Sequence, residues 1–276
     1  MFTIYHSATE FENRSCGIAV LPLGAVEQHG RLLPLGTDIL LAQSFAGRIA
    51  DKLGAYLLPP LSISSSIEHR KTKGTVYLRG DTLALIIRDI SESLRDSGFE
   101  RLVLANWHGG NWILKPTIRQ LNRDLAPFRV VLINPDLPPV KRAEIFEHPV
   151  DDVHGGEFET SLMLHLHPEL VGALPARTER SFPPQAFLDY FDTTELTPEG
   201  YWGWPELGTV EKGRRVLAEL VESAMKYMEQ IEEMSRELAA TVSPVGISSA
   251  HASLPASAGI DERPVPTRKE EKEALL

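Results

Sequence analysis

The stretch 17–30, GIAVLPLGAVEQHG, decides the expected fold of the chain. Its first part, from Gly17 to Leu23, is an apolar run with little alternation, which is typical of a β-strand buried on both faces. Gly24 ends the run, and the polar residues Glu, Gln and His follow shortly after it. Strands of this kind belong to sheets covered by helices on both sides, so the stretch predicts an α/β fold.

Helices and strands alternate along the residues that follow. Apolar residues recur at helical spacing in three segments: 38–52, 81–97 and 113–125. Short apolar runs predict three further strands: 55–60, 101–105 and 128–133. Asp81 is the expected N-cap of the middle helix. This alternation implies a mostly parallel sheet with right-handed crossovers, in which ligands gather at the carboxyl ends of the strands.

The second half of the chain is less regular. One helix is predicted to end before Pro168, and a long final helix is predicted over Thr209–Leu238. Pro and aromatic residues dominate Phe182–Trp204, which we expect to be a long loop over the site or at a subunit contact. Residues 244–276 are rich in Ser, Ala, Pro and charge, a composition typical of disorder. We therefore expect one domain, 1–243, followed by a disordered tail.

The composition is that of an ordinary globular protein, with 276 residues, 42% hydrophobic and 24% charged. The net charge of -10 argues against a nucleic-acid-binding surface, because phosphate binding needs clustered Lys and Arg. The N-terminus lacks the segments of a signal peptide, and no apolar stretch approaches the roughly 18 residues that span a membrane. The single Cys16 cannot form an internal disulfide. We expect a cytoplasmic protein that acts on a small molecule.

Three polar side chains near the first strand predict a metal site. Glu27 and His29 are two residues apart, so an extended backbone points both to the same side. Asp38 lies at the start of the next helix, where a loop can bring it beside them. Carboxylates with imidazoles suit zinc, manganese or iron. Spacing alone is also compatible with a surface Glu and a core His, but the flanking glycines favour tight turns at a strand end.

Two later motifs add candidates. His108 directly follows the predicted strand 101–105 and precedes two glycines, so the backbone can approach a ligand closely there. The alternative is a helix-capping turn in which His108 is incidental. In the motif HGGEFET, Glu157 and Glu159 cannot face the same way on a helix, so one of them is expected to point outward.

Five motifs, in order, carry a family resemblance: LPLGAVEQHGRLLPLGTDILLA, IEHRKTKGTVYLRGDTL, NWHGGN, HGGEFETSLMLHLHPELV and GTVEKGRR. Together they resemble the creatininase (creatinine amidohydrolase) family over most of residues 17–225. The resemblance implies an α/β fold, a three-layer sandwich with a mostly parallel central sheet, and a pair of divalent metal ions in each subunit. It also implies a homo-oligomer, expected to be a hexamer.

The resemblance implies roles for individual residues. Glu27, Asp38 and His108 would hold one ion, and His29 with the bridging Asp38 would hold the second. A bridging carboxylate keeps two cations close enough to share one hydroxide, which attacks the substrate. His154 would pass a proton to the leaving nitrogen. The alternative for His154 is a residue that caps the helix beginning just after it.

The chain departs from the creatinine-cleaving pattern at two places. In the motif that resembles N-G-H-Y-E-N, Gly110 stands where a metal-binding Glu is expected, and Glu159 is the best substitute as ligand and catalytic residue. No Trp stands just before His154, where the creatinine ring would stack. We therefore expect hydrolysis of a non-peptide or cyclic C–N amide bond other than that of creatinine. Two alternatives stay open: a hydrolase or lyase of a keto-sugar or cyclitol, and a non-catalytic ligand-binding protein.

Overall fold

The computed structural model describes residues 1–241, so the tail expected over 244–276 lies outside the described residues. The chain divides into two compact units, Met1–Glu232 and Glu233–Leu276. The first unit contains the sheet and the candidate site, and only the end of the last helix is described in the second. The expected domain boundary after residue 243 stays a prediction.

A four-stranded parallel sheet forms the centre of the first unit, in the order β2-β1-β3-β4. Its strands are β1 (Ile18–Leu23), β2 (Tyr56–Leu57), β3 (Arg101–Asn106) and β4 (Arg129–Ile133). The predicted parallel sheet is therefore confirmed. The strand expected over 55–60 is shorter than predicted because Pro59 and Pro60 lack the N–H donors that would extend its ladder.

Helices cover both faces of this sheet. Within residues 1–241 they are α1 (Ala8–Glu12), α2 (Thr37–Leu53), α3 (Gly80–Asp96), α4 (Leu114–Asp124), α5 (Pro139–Ile145), α6 (Glu157–Leu166), α7 (Thr193–Leu196) and α8 (Val210–Thr241). One core lies between the sheet and α2, α6 and α8, and a second core lies between the sheet and α3 and α4. The three-layer α/β sandwich is thus confirmed. Across the part of the chain that the structure describes, no helix is both long and apolar enough to span a membrane.

The start of α3 differs from the prediction. The N-cap is Arg79, whose backbone is extended, and the helix begins at Gly80. Asp81 is therefore already inside the first turn, where its carboxylate accepts the N–H of Thr82 at 2.9 Å. The expectation that Asp81 is the N-cap was wrong because the chain enters the helix two residues earlier than the side-chain pattern suggests.

The segment 182–204 is more ordered than a plain loop. It contains a 3₁₀ turn at Gln185–Asp189 and helix α7. Near its end Trp202 and Trp204 are buried, and Trp202 forms an isolated β-bridge with His154. The aromatic residues therefore anchor this segment beside the start of α6.

Gly24 brings the end of β1 against the start of α2. A Cβ atom built on Gly24 would lie 2.7 Å from the carbonyl carbon of Asp38 and 2.7 Å from the backbone nitrogen of Ile39. Real Cβ atoms do not approach backbone atoms so closely, and backbone cannot move aside as a flexible side chain can. The absence of a side chain at Gly24 thus allows Asp38 to sit beside the strand end that carries Glu27.

We predict that Gly24→Ala destabilises the protein by about 1–3 kcal/mol, because the added methyl group overpacks a backbone contact. Gly47→Ala is the matched control. Gly47 lies in the interior of α2, and a Cβ atom on it would make only an ordinary contact, 4.0 Å from the Leu57 side chain. Ala is favoured over Gly there by up to about 1 kcal/mol. Urea unfolding of both variants measures the difference. A Gly24→Ala protein with the wild-type midpoint would contradict the tight contact.

Candidate metal centre

The side chains predicted from the sequence converge at the carboxyl ends of β1 and β3. Glu27 and His29 follow β1, Asp38 lies in the first turn of α2, and His108 follows β3. His154 lies just before α6, and Glu159 lies in its first turn. This edge of the sheet is where ligands gather in parallel α/β folds. The starts of α2 and α6 contribute one carboxylate each, which the positive ends of the helix dipoles favour.

Asp38 lies between two imidazoles. Its Oδ1 is 3.2 Å from Nε2 of His29, and its Oδ2 is 3.3 Å from Nδ1 of His108. Oε1 of Glu27 approaches the same Nδ1 of His108 at 3.2 Å. One carboxylate thus faces two separate groups of donors.

The donor atoms form three overlapping groups, in each of which all atoms lie within 4.8 Å of one another. The groups are Glu27 with Asp38 and His108, His29 with Asp38 and Glu159, and Glu27 with His29 and His154. The first two share Asp38. The first is the ligand set expected for one ion. The second is the set expected for the other ion, with Glu159 as the substitute carboxylate.

The chemistry of these donors fits divalent cations. Glu27 and Asp38 are buried, and one oxygen of each, Oε1 and Oδ2, has no hydrogen-bond partner among the described residues. Among the described residues, every ion-pair partner recorded for Glu27, Asp38 and Glu159 is a histidine. Buried carboxylates without a fixed positive charge are costly, and a cation held by oxygen and imidazole donors offsets that cost.

The same carboxylates change the pKa values of the neighbouring imidazoles. Burial lowers the pKa of His29, but Asp38 and Glu159 together outweigh burial and hold that pKa well above its ordinary value. Burial also lowers the pKa of His108, and the carboxylates of Glu27, Asp38 and Glu68 together raise it well above its ordinary value. The carboxylates therefore attract positive charge strongly. Divalent ions would supply that charge by displacing the imidazole protons, since only neutral imidazole binds a metal.

His154 faces the donor cluster in a defined tautomer. Its Nε2 lies 2.6 Å from the backbone oxygen of Gln28, so Nε2 donates the proton and Nδ1 keeps a lone pair. Nδ1 is 3.6 Å from Oε1 of Glu27. Burial and the nearby His29 lower the pKa of His154. The neutral imidazole thus presents a proton acceptor to the cluster.

At the start of α6, Glu157 is buried and Glu159 is only partly exposed, so the expectation that one points outward was wrong. Glu159 accepts the N–H of Gly155 at 2.6 Å and lies 3.7 Å from Nε2 of His29. Glu157 faces the opposite way and pairs with Lys212 of α8. The helical geometry was right, but a distant, partly exposed lysine pairs with Glu157, which the local sequence does not show.

Sequence reasoning missed a second wall of the site, the segment Ser64–His69. The hydroxyl of Ser66 donates to Glu27, and Nε2 of His69 is 3.5 Å from Oε1 of Glu27. Glu68 approaches His108 from the other side. The segment has no helical or strand periodicity, and the adjacent Glu and His in IEH were its only local signal.

Two cavities, of about 620 and 630 Å³, reach the imidazoles of His108 and His154. Trp112 lines both and is 63% exposed, whereas Trp107 is buried against Phe45. Volumes of this size suit small molecules. An exposed indole therefore stands beside the site, although not at the position just before His154.

Comparison with known proteins places this site in a family. Residues 5–228 match the creatininase family, described as creatinine amidohydrolase. The chain belongs to the creatininase family. The resemblance predicted from the motifs is thus confirmed.

Individual creatininase relatives match most of the chain. The creatinine amidohydrolase of Pseudomonas putida is 30% identical over 221 residues, covering 72% of this chain and 84% of that protein. A mycofactocin precursor peptide peptidase of Mycobacterium ulcerans (strain Agy99) is 28% identical over 222 residues, covering 75% and 82%. A solved creatininase structure, described as the Mn form, is 26% identical with a TM-score of 0.69, covering 83% of this chain and 97% of that one.

In this creatininase-family chain, Asp152 holds the start of α6. Its two carboxylate oxygens accept the N–H groups of Glu157 at 2.8 Å and of Phe158 at 2.7 Å. These are N–H groups in the first turn of a helix, which have no partner within the helix. Asp152 thereby fixes the turn from which Glu159 reaches the donor cluster.

We predict that Asp152→Ala destabilises the protein by about 1–3 kcal/mol, because two N–H groups lose their buried acceptors. Asp151→Ala is the matched control, since Asp151 is the neighbouring carboxylate and is exposed. Chemical unfolding of the two variants gives the comparison. Equal stabilities would show that Asp152 does not hold the helix start.

Proposed function

We propose that this creatininase-family protein is a divalent-metal-dependent amidohydrolase that cleaves a non-peptide or cyclic C–N bond. The observation that carries the proposal is Asp38, whose two oxygens face His29 and His108 at 3.2 and 3.3 Å. A carboxylate in this position can bridge two cations. Both the creatinine amidohydrolase and the peptidase among the relatives are named for cleavage of amide-type C–N bonds, which supports the reaction class.

The geometry supports two candidate ligand sets. Glu27, Asp38 and His108 would hold one ion, and His29, Asp38 and Glu159 would hold the other. When bound, the ions would polarise the scissile carbonyl and lower the pKa of a water molecule. Zinc, manganese and iron all suit this donor set, and the Mn form of creatininase makes manganese the first ion to test.

The protein itself supplies the proton transfer. His154 keeps its Nδ1 lone pair towards the cluster because Nε2 donates to the backbone of Gln28. It can therefore accept a proton from the attacking water and deliver it to the leaving nitrogen, which is the usual contribution of a positioned general acid–base group. The expected homo-hexamer, like the cytoplasmic location, stays a prediction.

We predict that the purified protein binds manganese or zinc and that Asp38→Asn loses both ions, because Asp38 belongs to both ligand sets. Glu159→Gln should weaken binding of the ion held with His29 and leave binding of the other ion unchanged. Elemental analysis after dialysis, together with titration of the metal-free protein, measures both effects. Asp151→Asn, an exposed carboxylate, is the control. Active wild-type protein without bound metal would contradict the proposal.

We predict that creatinine is a poor substrate. Gly110 carries no carboxylate, and loss of a group around a metal typically costs 10- to 100-fold. Aromatic stacking contributes roughly 0.5–1.5 kcal/mol beyond area burial, and the usual indole before His154 is missing. Together these changes should lower turnover by about one to three orders of magnitude.

The decisive measurement is creatine formation by the manganese-loaded protein, with the Pseudomonas putida enzyme as positive control. Saturable turnover comparable to that enzyme would make the prediction wrong. If Trp112→Ala then abolished it, the exposed indole of Trp112 would be the replacement wall. A panel of amides, formamides, lactams, peptides and keto-sugars identifies the substrate class, and activity on a keto-sugar alone would favour the alternative reaction.

A further inference from the structure

Glu68 lies behind the imidazole of His108. Its Oε1 is 3.4 Å from Nε2 of His108, and its side chain is only 13% exposed. The other ring nitrogen, Nδ1, faces Glu27 and Asp38 at 3.2 and 3.3 Å. The hydroxyl of Ser66 lies 3.5 Å from the same Nε2. The imidazole therefore stands between the ligand group on one side and the Glu68 carboxylate with the Ser66 hydroxyl on the other.

The position of Glu68 depends on the missing side chain of Gly110. A Cβ atom on Gly110 would lie 1.9 Å from Oε1 of Glu68 and 2.3 Å from Nε2 of His108. No larger residue can occupy position 110 while Glu68 keeps this place. The chain thus lacks a carboxylate at 110 and has one from Glu68 in the space beside it.

Glu68 is also held in place by the segment that carries it. The backbone N–H of Ser65 donates to Oδ1 of Asn111 at 3.1 Å, which ties the segment to the loop containing His108. Asn111 in turn donates to Asn106 at 2.9 Å. Ser66, two residues before Glu68, donates its hydroxyl to Glu27. The same short segment therefore contacts the first ligand group from two directions.

We infer that Glu68 is a positioning residue for His108: its carboxylate accepts the Nε2 proton and so fixes Nδ1 as the metal-binding nitrogen. The inference rests on the metal site proposed above. None of the ligand groups found within residues 1–241 includes Glu68, so it acts through His108 and does not bind an ion itself. A carboxylate behind a metal-bound imidazole fixes its tautomer and orientation and raises its basicity.

Metal titration of the metal-free protein tests this role. Glu68→Ala should weaken one of the two ions by about 10- to 100-fold and leave the other close to wild type. Glu68→Gln keeps an acceptor oxygen but not the charge, so it should lose less affinity. Asp189→Asn is the matched control, because Asp189 is an exposed carboxylate that lines the same cavity without an ion pair to His108. Its affinities should be unchanged.

Proton NMR of protein with ¹⁵N-labelled histidine gives a second readout. In wild-type protein the Nε2 proton of His108 should be shifted downfield and protected from exchange, in both the metal-free and the zinc-loaded state. Glu68→Ala should lose this protection, and Glu68→Gln should show a smaller shift. If Glu68→Ala does not fold, the comparison of wild type with Glu68→Gln decides the question.

Two outcomes would overturn the inference: wild-type affinities for both ions in Glu68→Ala, or an Nε2 proton unchanged in Glu68→Gln. Failure of the proposed function looks different. In that case the wild-type protein itself binds no divalent ion, while the Nε2 proton still reports whether Glu68 and His108 are in contact.

Discussion

Asp38 is buried with one oxygen facing His29 and the other facing His108. A carboxylate in a protein interior is stable only when positive charge or hydrogen bonds surround it on every side. The surrounding structure meets this demand with imidazoles, because no lysine or arginine in the described residues pairs with Asp38. These buried carboxylates therefore favour cation binding at the carboxyl ends of the strands.

The fold meets this demand through close backbone approaches. Gly24 allows α2 to begin against the end of β1, and this contact places Asp38 beside Glu27. β3 ends in the same register next to β1, so His108 arrives from the neighbouring strand. The start of α6, held by Asp152, adds Glu159 from a third direction. Each of these candidate ligands thus lies next to the end of a strand or at the start of a helix that packs on the sheet, which favours a defined geometry.

The sequence predicts those parts of the site that follow from local pattern. The strand-end positions of Glu27 and His108 could be read from apolar runs and glycines, and the layered fold followed from the alternation of elements. Partners that are distant in sequence could not be read. Lys212, which pairs with the buried Glu157, lies on the last helix. Glu68, which contacts His108, lies in a segment without helical or strand periodicity. Local pattern also misplaced the start of α3, because it cannot show where the backbone turns helical.

The walls of the site and its donors come from different parts of the fold. The donors lie just after strands or near helix starts. Trp112 and Gln185, which line both cavities together with His108 and His154, lie on turns. Loops tolerate substitution because few core contacts depend on them. The relatives named for creatinine and for a peptide show that the same family carries different substrates. Substrate choice in this chain is therefore expected to depend on these loop residues. Gly110 affects both the wall and the donors, since its missing side chain leaves room for Glu68 beside His108.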